Sequence, residues 1–262
     1  MAVGGAGFAA EPATWRDAAS GIEFVRIVGG CFEQGAASPG PANDGMPIPV
    51  PRNDEVPTRH TCVDGFWLGR TEVTRAQWVR ILGAGGDVAE PDRPHADVGS
   101  GDVQNFLDAL NRIATGSGRL FRLPSEAEWE YACHAGIYRS PVQLYGQERY
   151  AWMQEMADFA RYRHPLMKNP RSSPVAQKKP NAWGLFDMLG NVWEWTADRY
   201  DPQAYRRGPR EMLAARDAGG DRVVRGGSYM SDIAHIRCGA RNAYPADQPL
   251  PVIGLRVLME TN

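Results

Sequence analysis

Residues 122–133 read RLPSEAEWEYAC, and their spacing predicts a helix that begins at one defined residue. Ser125 is placed to cap the first turn, and Glu128 stands three residues on as its capping-box partner. Glu126 and Glu128 bring negative charge to the positive end of the helix dipole. Trp129, Ala132 and Cys133 are expected to face inward.

Little around this helix promises regular structure. The chain has 262 residues, with Gly 29 and Pro 20, a composition that favours turns and irregular loops over long helices. Eight Trp can supply the large buried areas that such a backbone needs. The length suits one large domain or two small ones, and neither a fixed-period repeat nor a Gly/Ser linker divides it. Formal net charge is −2 with acids and bases dispersed. No basic run points to nucleic acid, and no apolar run approaches the ~20 residues of a membrane span.

Working outward, a strand is expected over Ile22–Phe32. The loop ASPGPANDGMPIPVPRNDEVP (37–57) follows, too long for a turn and suited to wrap the surface or rim a site. HTCVDGFWLGRTEVT (60–74) alternates as strand, with Asp64-Gly65 available as a turn. Thr74 and Gln77 begin a second capped helix, TRAQWVRIL, and a third starts near Asp102 with Val103, Phe106, Leu107 and Leu110 on one face. YAWMQEMADFARYRHP (150–165) reads as a further helix or half-helix, and residues 201–221 as a linker. The chain closes in two strand-like runs, RVVRGGSYM and IGLRVLME.

The four cysteines, Cys31, Cys62, Cys133 and Cys238, form no CxxC and no Cys/His pair at zinc spacing, so the thiols are not read as metal ligands. Two disulfides in an oxidising compartment and four buried free thiols are the two readings. The small-residue start, MAVGGAGFAAEPATW, resembles the tail of a signal peptide, or else a flexible leader. An exported chain is the expectation, with residues 1–20 as leader and 21–262 as the domain.

Seven segments, in order, carry a resemblance: GGCFEQG (29–35), VDGFWLGRTEVTRAQW (63–78), RLPSEAEWEYAC, PNAWGLFDMLGNVWEWTADRY (180–200), RVVRGGSYM (222–230), RCGARN (237–242) and IGLRV (253–257). Together they resemble the sulfatase-modifying-factor family, the formylglycine-generating-enzyme domain. The resemblance implies one irregular α+β domain related to the C-type-lectin fold. It implies a Cys133–Cys238 disulfide, and Cys31 and Cys62, on what should be neighbouring strands, would make a second. It also implies calcium, held by the side chains of Asp187 and Glu194 and the carbonyls of Gly190 and Val192. Two carboxylates around a tight turn are the oxygen donors a hard cation takes; a turn capped by Asp187 with Glu194 in a salt bridge is the competing reading. The family's other calcium site is not expected here, because YAWMQEMADFARYRHP lacks the acidic loop that would supply it.

Formylglycine formation in this family depends on two copper-binding cysteines just after the GGS turn. Here Ser231 aligns with the first, and the shorter segment between Met230 and Arg237 leaves the second without a counterpart. Hydroxyls are poor ligands for soft Cu(I), so no copper is expected there and the sulfatase-cysteine reaction is not expected. The five histidines are scattered (His60, His95, His134, His164, His235) and form no HxxxH or HxH pair. No redox cofactor is legible.

A branch of the family without the cysteine pair is exported to the periplasm and includes members that act in the oxidative maturation of a pyoverdine-type siderophore, beside other exported members of unknown role. The expectation is a protein of this kind, acting on a small-molecule or peptide substrate. Its pocket would be lined by Trp193, Ser228, Ser231, Asp232, His235 and Arg241. Asp232 or His235 would take a proton, and Arg241 would orient an anionic or phenolic group. The alternative is a lectin-like binding or display module, or a structural accessory protein. Tyr229, Asp232, His235, Asn242 and Tyr244 would then form a ligand-facing surface without chemistry.

Overall fold

The helix read from RLPSEAEWEYAC is α3, Glu126–His134, the last of three helices along the described chain. Ser125 Oγ accepts from the Glu128 N–H, and the Glu128 carboxylate accepts from the Ser125 N–H at 2.7 Å. The same reciprocal cap opens α1 (Arg75–Leu82) at Thr74 and Gln77. Helix α2 runs Ser100–Ile113, two residues earlier than its apolar stripe suggests, because Asp102 caps back onto the Gly99 N–H. This computed structural model describes residues 13–36, 52–83, 88–135, 160–163, 170–207, 220–232 and 235–261. Most of the helix expected over 150–165, most of the 37–57 loop and the middle of the 201–221 linker lie outside those residues. The described end of that helix, 160–163, is not helical: Arg161 is drawn into a parallel bridge with Gly190 instead.

Eleven strands accompany the helices among the described residues. β1 (Thr14–Arg16), β2 (Glu23–Ile27), β5 (Phe66–Gly69), β6 (Arg119–Arg122) and β11 (Leu258–Thr261) form an antiparallel sheet in the order β1-β2-β5-β11-β6. β7 (Trp193–Arg199), β8 (Asp221–Arg225), β9 (Arg241–Pro245) and β10 (Ile253–Leu255) form a second, ordered β10-β7-β8-β9, with β10 parallel to β7. β3 (Gly30–Gln34) and β4 (Arg59–Val63) make a separate two-stranded ribbon.

Two expectations change here. The run Ile22–Phe32 is two strands, because Val28 is 74% exposed and the buried face ends with Ile27. β2 enters the five-stranded sheet and β3 leaves it. The leader boundary also moves: Thr14–Arg16 pairs with Glu23–Val25, and Asp17 and Ser20 are buried, so residues 14–20 belong to the folded domain. Residues 1–12 lie outside the described chain.

The central strands of the five-stranded sheet bury residues on both faces. Phe24 and Met259 turn to a core with Trp78, Phe106 and Leu110 of α1 and α2, where the Trp78 and Phe106 rings stack at 4.7 Å. Their neighbours Val25 and Leu258 turn the other way, onto Trp129, Tyr131, Leu185 and Met188. That alternation is the period-2 geometry of a strand used twice. Two disulfides close the structure, Cys31–Cys62 within the ribbon and Cys133–Cys238 from α3 to the C-terminal segment. All four cysteines are therefore bonded.

Candidate functional site

The second strand of the motif region, β7, is preceded by a tight turn, Asp187–Asn191. Asp187, Gly190 and Asn191 all take positive φ, at 54°, 83° and 56°. Gly190 is required: a Cβ there would lie 2.1 Å from the Arg161 carbonyl oxygen. Two backbone bonds dock this turn onto the RGGSYM segment, Gly190 N–H to Gly226 O at 2.8 Å and Tyr229 N–H to Asn191 O at 2.9 Å. The two most distinctive motifs of the sequence are thus one structural unit.

Behind the turn lies a buried cluster of charge. Glu194 accepts from the Arg256 guanidinium through both its oxygens at 2.7–3.0 Å, and from the Trp129 indole N–H at 2.7 Å. Asp187 accepts from the Ala176 N–H at 2.6 Å. Glu72, fully buried, accepts from Asn191 Nδ2 through one oxygen, and its other oxygen, Oε1, has no hydrogen-bond partner. Burial, then the neighbouring Asp187 and Glu194 carboxylates, push the Glu72 carboxyl well above its ordinary range. Burial also raises Asp187. Three carboxylates face one buried guanidinium, with Lys178 also acting on Asp187, and the remaining negative charge is costly unless protonated or neutralised by a cation. An orphaned carboxylate oxygen beside this turn fits a hard cation's need for oxygen donors. The salt bridge read as the alternative for Glu194 is present, and by itself does not balance Glu72 and Asp187.

A second charged cluster underlies the other side of α3. Arg241 is fully buried, and its Nε and Nη2 donate to the two oxygens of Glu126 at 2.7 and 2.8 Å. Arg225 donates to Glu126 and Glu130, and Tyr205 Oη lies 3.3–3.4 Å from both carboxylates. Burial alone would raise the Glu130 carboxyl, but Arg225, His134 and the Gly35 N–H hold it at about 2. Arg241 is thereby a buried structural partner of Glu126 rather than a group facing a ligand. Trp193 is likewise in the main core, at 3% exposure.

The remaining four residues of the expected pocket stay together. Ser228 N–H donates to Ser231 Oγ at 2.9 Å, and the two hydroxyl oxygens are 3.3 Å apart. Gly227, with φ of 80°, lets the chain pass Ile236, whose Cδ1 would stand 2.5 Å from any added Cβ. His235 Nδ1 meets Asp232 Oδ1 at 2.9 Å at the open end of this turn. An aspartate on Nδ1 fixes the tautomer whose Nε2 carries the basic lone pair. Met230 is exposed beside it, at 45%. Ser228 is buried, and its Oγ also accepts from the Met230 N–H at 3.2 Å, so its hydroxyl serves the turn. The half-buried Ser231 and the carboxylate-oriented imidazole of His235 are the groups of this segment that reach the surface and could accept a proton. Residues 225–237 contain no cysteine, and Cys238 beyond them is bonded to Cys133.

Sequence reasoning missed Glu72, Trp129's indole bond, Glu126, Glu130, Arg225 and Arg256. One signal was available: an arginine inside an apolar strand run, as in RVVRGG and IGLRV, needs a buried carboxylate.

A family model for the "Sulfatase-modifying factor enzyme 1-like domain" matches residues 10–261. The chain is 30% identical over 207 residues to the formylglycine-generating enzyme of Streptomyces coelicolor, covering 73% of this chain and 60% of that protein. It is 25% identical over 290 residues to the mouse enzyme, covering 89% and 74%. Among solved structures, PvdO from Pseudomonas aeruginosa superposes with a TM-score of 0.73 at 24% identity, covering 96% of this chain and 100% of that one. Treponema denticola variable protein 1 gives 0.68 at 20% identity, covering 95% and 99%. These structural likenesses establish the shared fold, a single mixed α+β domain. The chain belongs to the sulfatase-modifying-factor, or formylglycine-generating-enzyme-like, domain family.

Proposed function

We propose that the protein is an exported member of this family that acts in oxidative maturation of a catechol- or phenol-bearing siderophore precursor and does not oxidise sulfatase cysteines. The observation that carries the reading is the Ser228–Ser231–Asp232–His235 unit in a chain whose cysteines are all bonded. The RGGSYM turn itself carries no cysteine that could serve copper as a thiolate pair. The likeness to PvdO over nearly the whole of both chains supports the siderophore reading, and two disulfides support export.

Ser231, held by the buried Ser228, would receive a substrate hydroxyl, and His235 Nε2 would take a phenolic proton while Asp232 stabilises the imidazolium. A catecholate gives up electrons more readily than a catechol. Two electrons and two protons then pass from the catechol to dioxygen, giving an ortho-quinone and hydrogen peroxide. Calcium is proposed as a structural ion held by Asp187, Glu194 and Glu72 with the Gly190 and Val192 carbonyls, fixing the turn onto which Gly226 and Tyr229 dock.

The test is the absorbance change of a reduced catechol-bearing siderophore precursor in air, with wild type and His235→Ala. Wild type should produce the oxidised chromophore faster than buffer, and His235→Ala should lose about 10²–10⁴-fold of that rate, the usual contribution of general acid–base catalysis. Equal rates for wild type and buffer would reject the catalytic reading. Saturable binding without turnover would favour the lectin-like binding module.

A further inference from the structure

The ribbon β3–β4 presents chemistry that the proposed function does not use. Its register pairs Cys31 with Cys62 and Glu33 with His60, and all four side chains lie on the same outward, exposed face. The Sγ atoms of Cys31 and Cys62 and one ring nitrogen of His60 lie within 4.8 Å of one another. His60 Nδ1 meets the Glu33 carboxylate at 3.0 Å, and its Nε2 lies 4.0 Å from Cys62 Sγ. That is the arrangement of a metal-binding histidine: a carboxylate fixes one nitrogen as donor, so that the other offers its lone pair toward the ligand cluster.

We propose that, with the Cys31–Cys62 bond reduced, Cys31, Cys62 and His60 form a site for a thiophilic divalent cation of the zinc type, with Glu33 as the positioning residue. A dithiol reductant supplies two electrons and two protons, becoming a disulfide itself as the two thiols form. Metal entry then displaces both protons, giving two metal–thiolate bonds and one metal–imidazole bond. Water fills the fourth position of a tetrahedral ion, as in open Cys₂His sites.

The ribbon keeps these ligands together without the disulfide. Five residue pairs hold its strands in register. On its inner face Phe32 packs against Tyr131 with ring centroids 5.4 Å apart, and Gln34 Oε1 accepts from Arg59 Nε and Nη2 at 2.9 and 2.7 Å. Zinc–sulfur and zinc–nitrogen bonds of about 2.3 and 2.0–2.1 Å are within reach of atoms already this close. Only the two sulfurs must separate. Such a site is not legible along the chain, because the H-x-C pair and the third ligand are 29 residues apart (Cys31 to His60) and meet only through strand register.

The experiment uses Co²⁺ and Zn²⁺ as probes on the full chain, before and after reduction, with differential alkylation reporting which bridge is open. Reduction should open the exposed Cys31–Cys62 bond before Cys133–Cys238. One equivalent of Co²⁺ should then give thiolate charge-transfer absorption and tetrahedral visible bands, both removed by stoichiometric Zn²⁺. Cys31→Ser with Cys62→Ser should abolish the signal, His60→Ala should weaken affinity at least tenfold, and Glu33→Gln about 10–100-fold, as for other outer partners of ligating histidines. The proposal is overturned if the reduced protein gives no such bands, if they persist in the double serine variant, if His60→Ala leaves affinity unchanged, or if Cys133–Cys238 opens while Cys31–Cys62 stays closed.

Discussion

Replacing Glu126 by Gln tests whether the buried charge network beneath the RGGSYM turn holds the C-terminal half of the domain. Glu126 is 1% exposed and accepts from Arg241 Nε, Arg241 Nη2 and Arg225 Nη1 at 2.7, 2.8 and 3.1 Å. With Glu130, it balances two fully buried guanidinium groups. Glutamine keeps the volume but leaves one buried positive charge uncompensated and turns an amide N–H toward existing donors. Breaking a buried pair from one side costs about 3–5 kcal/mol. In a chain of this size each kcal/mol moves the melting temperature by about 2–4 °C, so a fall of about 10 °C is expected. Urea denaturation with bridges intact gives the free energy directly. Glu260→Gln, on the exposed side of Arg122, should cost at most about 1 kcal/mol. Adding Arg241→Met to Glu126→Leu should cost less than the two single changes summed, because the pair leaves together. A Glu126→Gln loss no larger than that of Glu260→Gln would refute the reasoning.

Calcium should raise the melting temperature, and the gain should grow with pH. Glu72 has its folded carboxyl raised, chiefly by burial and then by Asp187 and Glu194, so the cation-free fold is favoured when it is protonated and loses stability as pH rises above its ordinary value of 4.5. A cation replaces that proton, so its effect should be larger at about pH 8 than at about pH 5; equal gains at both, or none, would remove Glu72 from the site. Glu130 behaves oppositely: its depressed carboxyl contributes stability above the ordinary 4.5 that is lost as pH falls toward about 2. That window corresponds to about 3 kcal/mol, and a Glu130→Gln variant should show a correspondingly flatter acid limb in a pH series of urea midpoints.

Local signals were the legible ones. The capping boxes at Thr74–Gln77 and Ser125–Glu128 form as their spacing predicts, since both partners lie within one turn. The inward positions Trp129, Ala132 and Cys133 follow from the same helix. Illegible were pairings over long separations. Glu126 looks like a dipole-stabilising surface acid until β8 and β9 bring Arg225 and Arg241 to it from 99 and 115 residues away. Arg241 reads as a ligand-orienting group for the same reason: its partner is remote. The Ser228–Ser231 and Asp232–His235 contacts each span three residues and are local, whereas Glu72 reaches the Asp187–Asn191 turn only across 119 residues, through Asn191.

The most direct measurement is dioxygen consumption by the same preparation with two substrates, a catechol-bearing siderophore precursor and a sulfatase-type cysteine peptide supplied with copper. Uptake above the buffer rate with the precursor and none with the peptide is the predicted result. Uptake with the peptide, accompanied by formylglycine, and none with the precursor would contradict the assignment of the serine–histidine turn.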